Sequence, residues 1–132
     1  VTVERDNEVL RKTSDRIDEL TERWKKVGVM DDLSRMNQTA QFTRHLEYML
    51  DLAKAITEGA LARNESRGAH YKPEYPDRND DEFLKTTIAE YSESGPILSD
   101  EPVDVSLSTP RLRSYATKGA AAGLANTDSE EK

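Results

Sequence analysis

The chain contains no cysteine. A disulfide framework, iron–sulfur ligation and a thiol nucleophile are therefore all excluded from it. Histidine is nearly absent too. His45 and His70 are the only two, at spacings from the surrounding carboxylates that do not suit zinc. Aromatic residues make up 6% and hydrophobic residues 35% of the 132 positions, so any core must be small. No apolar run approaches the roughly 18–20 residues needed to span a bilayer. No basic stripe interleaved with aromatics is present either. With a net charge of −7 and a pI near 4.9, the chain would repel a phosphate backbone, and no nucleic acid is expected as a partner. The opening residues, Val1-Thr-Val-Glu-Arg-Asp6, are charged and helix-like rather than a signal peptide. A start at Val1 instead of Met suggests a chain that is processed or cut from something longer.

What remains is charge, 34% of the residues, with a mean hydropathy of −0.83. It is organised at helical spacing. Leu10, Thr13, Ile17, Leu20, Trp24 and Val27 step by three and four, one face of a helix over about 6–27. Asp6 is placed to cap it, Gly28 to stop it, and Lys25 and Lys26 to oppose the negative end of its dipole. A second face, Phe42, Leu46, Met49, Ala53, Ile56 and Ala60, predicts a helix over about 38–64, capped by Ser34 or Asn37. Leu50, Leu52 and Leu61 widen it beyond one stripe. The connection over 29–37 is short enough for an antiparallel hairpin. Pro73 and Pro76 then forbid regular helix, and Asp77–Glu82 reads as a polar turn. The β-branched run Leu84–Tyr91, the Gly95-Pro96 break and Ile97-Leu98 predict a β-hairpin. Val103, Val105 and Leu107 alternate as one more extended segment. From Ala116 to Lys132 the composition predicts disorder. The expected fold is mainly α. An antiparallel helical hairpin fills 1–70, a loop, short β-hairpin and extended segment fill 71–115, and the tail is 116–132. Such a core is thin, because an isolated two-stranded hairpin is marginal. The second helix is apolar enough to want more than one neighbour, so the chain reads as a piece of a larger body or one that self-associates.

Candidate chemistry concentrates in the stretch Arg63–Thr87. Arg67 and His70 could bind a carboxylate, with His70 as general base. Equally, Arg67 could hold carbonyls or a carboxylate at the end of the second helix while His70 packs locally. Gly68 is a single glycine, better suited to a helix stop than to cradling phosphate. His45, Glu47 and Asp51 are a conceivable metal set but more simply a solvated face. Asp77, Asp80, Asp81 and Glu82 match a calcium loop in charge, not in spacing. The region of Trp24 and Tyr48 reads as core. Arg111 and Arg113 could grip a partner or simply form a basic patch. No complete catalytic, cofactor-binding or metal constellation emerges.

The same stretch carries a family resemblance. Ala60–Arg63, Glu65–His70, Tyr75-Pro76 and Asp77–Glu82 sit within "ALARNESRGAHYKPEYPDRNDDEFLKTT". This resembles the signature near the C-terminus of the flavoprotein subunits of succinate dehydrogenase and fumarate reductase. "HLEYMLDLAKAITEGAL" (His45–Leu61) is similar to the family's long helix. "VDVSLSTPRLRSY" (Val103–Tyr115) resembles the ending of the succinate:menaquinone type of Gram-positive bacteria. The resemblance covers roughly residues 4–115. It implies the C-terminal helical part of the subunit, starting just after the first helix of its bundle. It also implies a parent enzyme that interconverts succinate and fumarate through FAD, expected to be covalent, and passes electrons to an iron–sulfur subunit and quinone. No FAD is expected in this segment itself. Partners would be the FAD-binding and capping domains of the same chain, the iron–sulfur subunit and, indirectly, the membrane anchor. The location would be the cytoplasmic face of the bacterial plasma membrane, as a peripheral subunit. The dinucleotide-binding glycines, the flavin-linking histidine and the capping-domain arginine of the family all lie upstream of the resembling region. The segment is therefore expected to be structural and inactive alone. Arg67, Gly68, His70, Tyr71, Tyr75 and Pro76 are the candidates for structural or domain-interface roles. Two other readings are a free-standing helical adaptor and the C-terminal domain of an L-aspartate oxidase-like flavoenzyme, which has a similar serine-arginine-glycine-x-histidine segment.

Overall fold

The computed structural model describes residues 3–30 and 35–111. The expected disordered tail (116–132), Arg113 and Ser34 lie outside the described residues.

Helix α1 runs Asn7–Trp24. The Asp6 carboxylate accepts from the Val9 N–H at 2.9 Å, as expected of an N-cap. Glu74 adds a second acceptor, 3.0 Å from the Asn7 N–H. Two acids thus meet the positive end of the helix dipole. The helix ends before Gly28. Lys26 and Val27 donate to Arg23 and Trp24 carbonyls three residues back, so the last turn tightens and closes without a left-handed residue. Gly28 is not the stop, and Val27 is exposed.

Helix α2 runs Gln38–Ala62. Asn37 is its N-cap, accepting from the Ala40 N–H at 2.8 Å. The two helices pack antiparallel. The Trp24 indole N–H donates to the Thr43 carbonyl at one end (2.8 Å), and the Lys54 ammonium donates to Ser14 Oγ and Asp18 Oδ2 (both 2.7 Å) toward the other. Ser14 Oγ also donates to Glu58 at 2.5 Å. Among the described residues Leu10, Ile17, Leu50 and Ala60 are the buried hydrophobic ones, with Ser14 and Thr57 buried between them. Each fully buried leucine or isoleucine contributes about 1.5–3 kcal/mol, so this seam is a modest source of stability.

The apolar stripe expected to face the partner helix mostly does not. Phe42 is 65% exposed, Met49 63% and Ile56 55%, with Leu46, Leu52 and Tyr48 open as well. Only Ala60, and in part Ala53, of that stripe turn inward. The reason is competition for cover by α1. α1 can cover only one side of α2, and it takes the side carrying Leu50, Lys54 and Thr57, where Ser14 and Asp18 give Lys54 its partners. Tyr48, expected in the core with Trp24, sits on the uncovered side.

The polar turn expected at 77–82 contains a four-residue helix, α3 (Asp80–Phe83), N-capped by Asn79. Strands β1 (Lys85–Glu90) and β2 (Ile97–Pro102) then pair antiparallel, Lys85 opposite Pro102 and Glu90 opposite Ile97. Ser92 closes the loop by accepting from and donating to Gly95, whose φ of +116° no branched side chain would favour. The sheet lies against α2 through β1. The extended segment expected at 103–107 does not pair as a strand. Pro102 ends β2, one further bond joins the Val103 N–H to Leu84, and Asp104 turns the chain by accepting from the Ser106 N–H at 2.9 Å.

Candidate functional site

The most deeply buried groups in the described residues are not all apolar. Glu65 and Lys72 have no exposed surface, and His70 is buried beside them. All three lie in the loop between α2 and α3.

Local sequence dictates how that loop folds. After Ala62 the chain makes two tight turns. In the first, Arg67 and His70 exchange backbone hydrogen bonds (2.8 and 3.0 Å) around Gly68-Ala69. Gly68 occupies the first central position with φ +61°, where a turn matched to strand twist needs a residue free of Cβ strain. In the second, Lys72 and Tyr75 pair around Pro73-Glu74, the Tyr75 N–H donating to Lys72 at 3.0 Å. Pro73 fits because the N–H it lacks is not needed there. Ser66 Oγ links the turns, accepting from the Lys72 N–H (3.0 Å) and donating to the Tyr75 carbonyl (2.7 Å).

Glu65 sits at the centre. Its Oε1 accepts from Arg63 Nε and Arg67 Nε, each at 2.8 Å. Its Oε2 accepts from Arg67 (2.9 Å) and from the Asn79 N–H (3.0 Å). Burial alone would raise this carboxyl, but the bonds from Arg67, Asn79 and Arg63 outweigh it and hold Glu65 below its ordinary value. Arg67 also reaches Asp80 (2.6 Å), which Arg78 holds from its other oxygen. Arg63 spans the gap to the sheet. It donates to the carbonyls of Phe83 and Lys85 (3.0 Å to the latter) and stacks 5.7 Å from the Phe83 ring centroid. One carboxylate thus fastens the end of α2, the start of α3 and the root of the hairpin.

Lys72 and His70 close the end of α2. The Lys72 ammonium group donates to the Leu61 carbonyl (3.0 Å) and to Asn64 Oδ1 (2.9 Å), at the end of a helix whose last carbonyls have no partner within the helix. Its nitrogen also lies 5.9 Å from the Tyr75 ring centroid. Burial pushes Lys72 below its ordinary value. Glu74 opposes the shift, while Arg11 and Arg5 add to it. His70 Nε2 meets the Arg63 carbonyl at 3.0 Å and Nδ1 meets the Arg5 guanidinium at 2.6 Å. Burial, with the nearby charges of Arg5, Lys72 and Arg63, lowers its pKa, against the pull of its bond to the Arg63 carbonyl. A histidine with both nitrogens engaged and its proton disfavoured is poorly placed as a general base.

Of the expected residues, the structure brings Arg67, Gly68, His70, Tyr71 and Tyr75 together. Tyr71 contributes its backbone, paired with Val3 and Arg5, and leaves its ring partly exposed. Pro76 is exposed. Arg67 holds a carboxylate of its own chain, the structural alternative raised for it. Glu65, Arg63 and Lys72 lie outside the set of residues expected at the site. The pattern Arg63-x-Glu65-x-Arg67 directly after a helix was the available signal, since two cations flanking one acid at that spacing can chelate it. His45 and Asp51 are exposed, and among the described residues no three acidic or histidine side chains gather as a metal site. The N-terminus of α1 is occupied by the carboxylates of Asp6 and Glu74. Among the described residues no helix is long and apolar enough to cross a membrane.

Comparison with known proteins gives concordant matches. The family model described as fumarate reductase flavoprotein C-term matches residues 1–115. The succinate dehydrogenase flavoprotein subunit of Bacillus subtilis is 54% identical over 123 residues, covering 92% of this chain and 21% of that protein. The fumarate reductase flavoprotein subunit of Haemophilus influenzae is 40% identical over 118 residues, covering 89% and 20%. Among solved structures, a mutant E. coli quinol fumarate reductase superposes with a TM-score of 0.79 at 34% identity, over 83% of this chain and 19% of that one. A quinol–fumarate reductase with menaquinol molecules gives 0.77 at the same identity and coverage. The chain spans about one fifth of the length of the curated relatives it matches.

Proposed function

Because the chain belongs to the fumarate reductase flavoprotein C-terminal family, we propose that it serves as the C-terminal helical domain of a flavoprotein subunit that interconverts succinate and fumarate through FAD. The observation that carries this is the continuous match over residues 1–115, which runs through the buried Glu65 cluster. In this reading the segment is structural. The loop from Arg63 to Asp80 caps α2 and turns the chain toward the rest of the subunit, with Arg67, Gly68, His70, Tyr71, Tyr75 and Pro76 at or near the domain interface. The flavin, covalently attached, is held by other parts of the subunit. Electrons leave through an iron–sulfur subunit toward a membrane-anchored quinone site, with the assembly peripheral on the cytoplasmic face. No chemical step is assigned to the residues of this segment.

The uncovered side of α2 supports the reading. Phe42, Met49, Leu52 and Ile56 form an apolar face on a helix whose partner α1 lies on its other side. An apolar face of that kind calls for cover. A free-standing adaptor would need the family match to be coincidence, so that reading is set aside. An L-aspartate oxidase-like parent is distinguished by its flavin, which would not be covalent.

The test is Arg67→Ala in the full-length subunit. Thermal stability or flavin loading should fall, while the succinate KM of the flavin-loaded fraction stays within about twofold, since a residue that binds no substrate contributes nothing to differential transition-state binding. A large rise in KM with normal flavin content and stability would overturn the structural role. In-gel flavin fluorescence of the denatured subunit checks the covalent link.

A further inference from the structure

The segment leading into α1 is fastened to the loop that caps α2. The Arg5 N–H donates to the Tyr71 carbonyl (2.8 Å) and the Tyr71 N–H donates to the Val3 carbonyl (3.1 Å), so residues 3–5 run parallel beside Tyr71. The side chains tie the same joint, Arg5 to His70 Nδ1 at 2.6 Å. The opposite nitrogen, Nε2, lies 3.0 Å from the Arg63 carbonyl. A carbonyl only accepts, so Nε2 carries the hydrogen and Nδ1 is the bare nitrogen that accepts from Arg5. A second proton can go only to Nδ1. There it would face a guanidinium, which has donors and no acceptor.

We propose that His70 and Arg5 form an acid-released clasp: protonation of His70 at Nδ1 expels the Arg5 side chain and unzips residues 3–5 from Tyr71, while the α1–α2 pair stays packed.

The surroundings favour this outcome over accommodation of the proton. The charged groups facing the imidazole are Arg5 from the leading segment, Arg63 from the end of α2 and Lys72 from the loop, all cations. Arg11 on α1 adds its charge at Lys72. The nearby carboxylates are committed elsewhere, Glu65 to Arg63, Arg67 and Asn79, and Glu74 to the Asn7 N–H. Across the groove the hairpin offers only the neutral hydroxyls of Thr86 and Thr87. Among the described residues the Arg63 carbonyl favours a positive imidazole, and burial with the surrounding cations outweighs it. The helix pair has its own attachments, through Leu10, Ile17, Leu50 and Lys54, and none of them involves His70.

The sign follows. The clasped state excludes a proton that the open state binds at the ordinary histidine value near 6.5. The clasp is therefore intact above that pH and weakens as pH falls below it, by at most about tenfold in its opening equilibrium per pH unit.

Hydrogen exchange and imidazole NMR of the 132-residue chain between pH 7.5 and 5 test the idea, with His45→Gln leaving His70 as the only imidazole. The amides of Arg5 and Tyr71 should lose protection progressively below the ordinary value, by at most about tenfold per unit, with those of Ile17 and Leu50 unchanged. His70→Asn keeps an acceptor near the Nδ1 position and removes the titration, so protection at Arg5 and Tyr71 should become independent of pH. Protection that persists while His70 gains its proton would overturn the proposal. So would loss at Ile17 in the same step, which is global unfolding, or an unchanged step in His70→Asn.

Discussion

The side-chain nitrogen of Lys72 lies 3.0 Å from the backbone carbonyl of Leu61, eleven residues earlier in the chain. A helix end that would otherwise need water or a glycine cap is closed instead by a lysine that returns after a tight turn. The capping residue is fully buried, so the loop and the helix hold each other in place.

Lys72→Met tests that relationship. It keeps the length of the side chain and removes both donors, leaving the Leu61 carbonyl and Asn64 without them. Loss of a buried partner costs about 1–3 kcal/mol. Urea unfolding of the 132-residue chain should show a lower midpoint with an unchanged slope.

Glu65→Gln should cost more, about 3–5 kcal/mol, because it leaves Arg63 and Arg67 facing a neutral group in a buried site. The pH dependence supplies a second readout. The folded-state pKa of Glu65 is depressed, so its stabilisation is complete above the ordinary value near 4.5 and is lost as pH falls from there toward the lowered value. Unfolding midpoints measured between pH 7 and 3 should therefore fall less steeply in the variant than in the parent chain.

Gly68→Ala isolates backbone strain. A Cβ there would touch nothing within 4 Å, but φ is +61°. The expected cost is about 1–2 kcal/mol, the price of holding an L-residue in the left-handed region. Gly68→Asn should recover part of it. Equal midpoints for all three chains would mean the turn relaxes.

Met49→Lys and Ile56→Lys distinguish the exposed side of α2 from the buried one. In the 132-residue chain these open positions should tolerate the change within about 0.5 kcal/mol, measured by urea midpoint. In the full-length subunit the same substitutions should lower thermal stability strongly, because the lysines would be driven under cover.

Much of this architecture can be read from the sequence. Asp6 and Asn37 cap the helices as their side chains predict, and the Gly95-Pro96 break lies in the hairpin loop between β1 and β2. Periodicity shows which side of α2 is most apolar, but not which side α1 will cover. On the side α1 covers, Lys54 meets Ser14 and Asp18, a long-range pairing no local pattern encodes. The same limit hid Glu65. Its role depends on Asn79 and Arg67 converging from either side of two turns, and only the flanking Arg63 and Arg67 were visible locally. Gly28 misled for a simpler reason: Lys26 and Val27 had already closed the helix with shorter-range bonds.

The thinness of the apolar seam between Leu10, Ile17, Leu50 and Ala60 has a calorimetric consequence. The heat-capacity increment of unfolding scales with the apolar surface newly hydrated, and exposed polar surface subtracts from it. A molecule whose best-buried groups include Glu65 and Lys72 should unfold with an increment below the usual ~12–15 cal/mol/K per residue. Its stability curve would then be flat, changing little on cooling and ending in a broad, shallow endotherm.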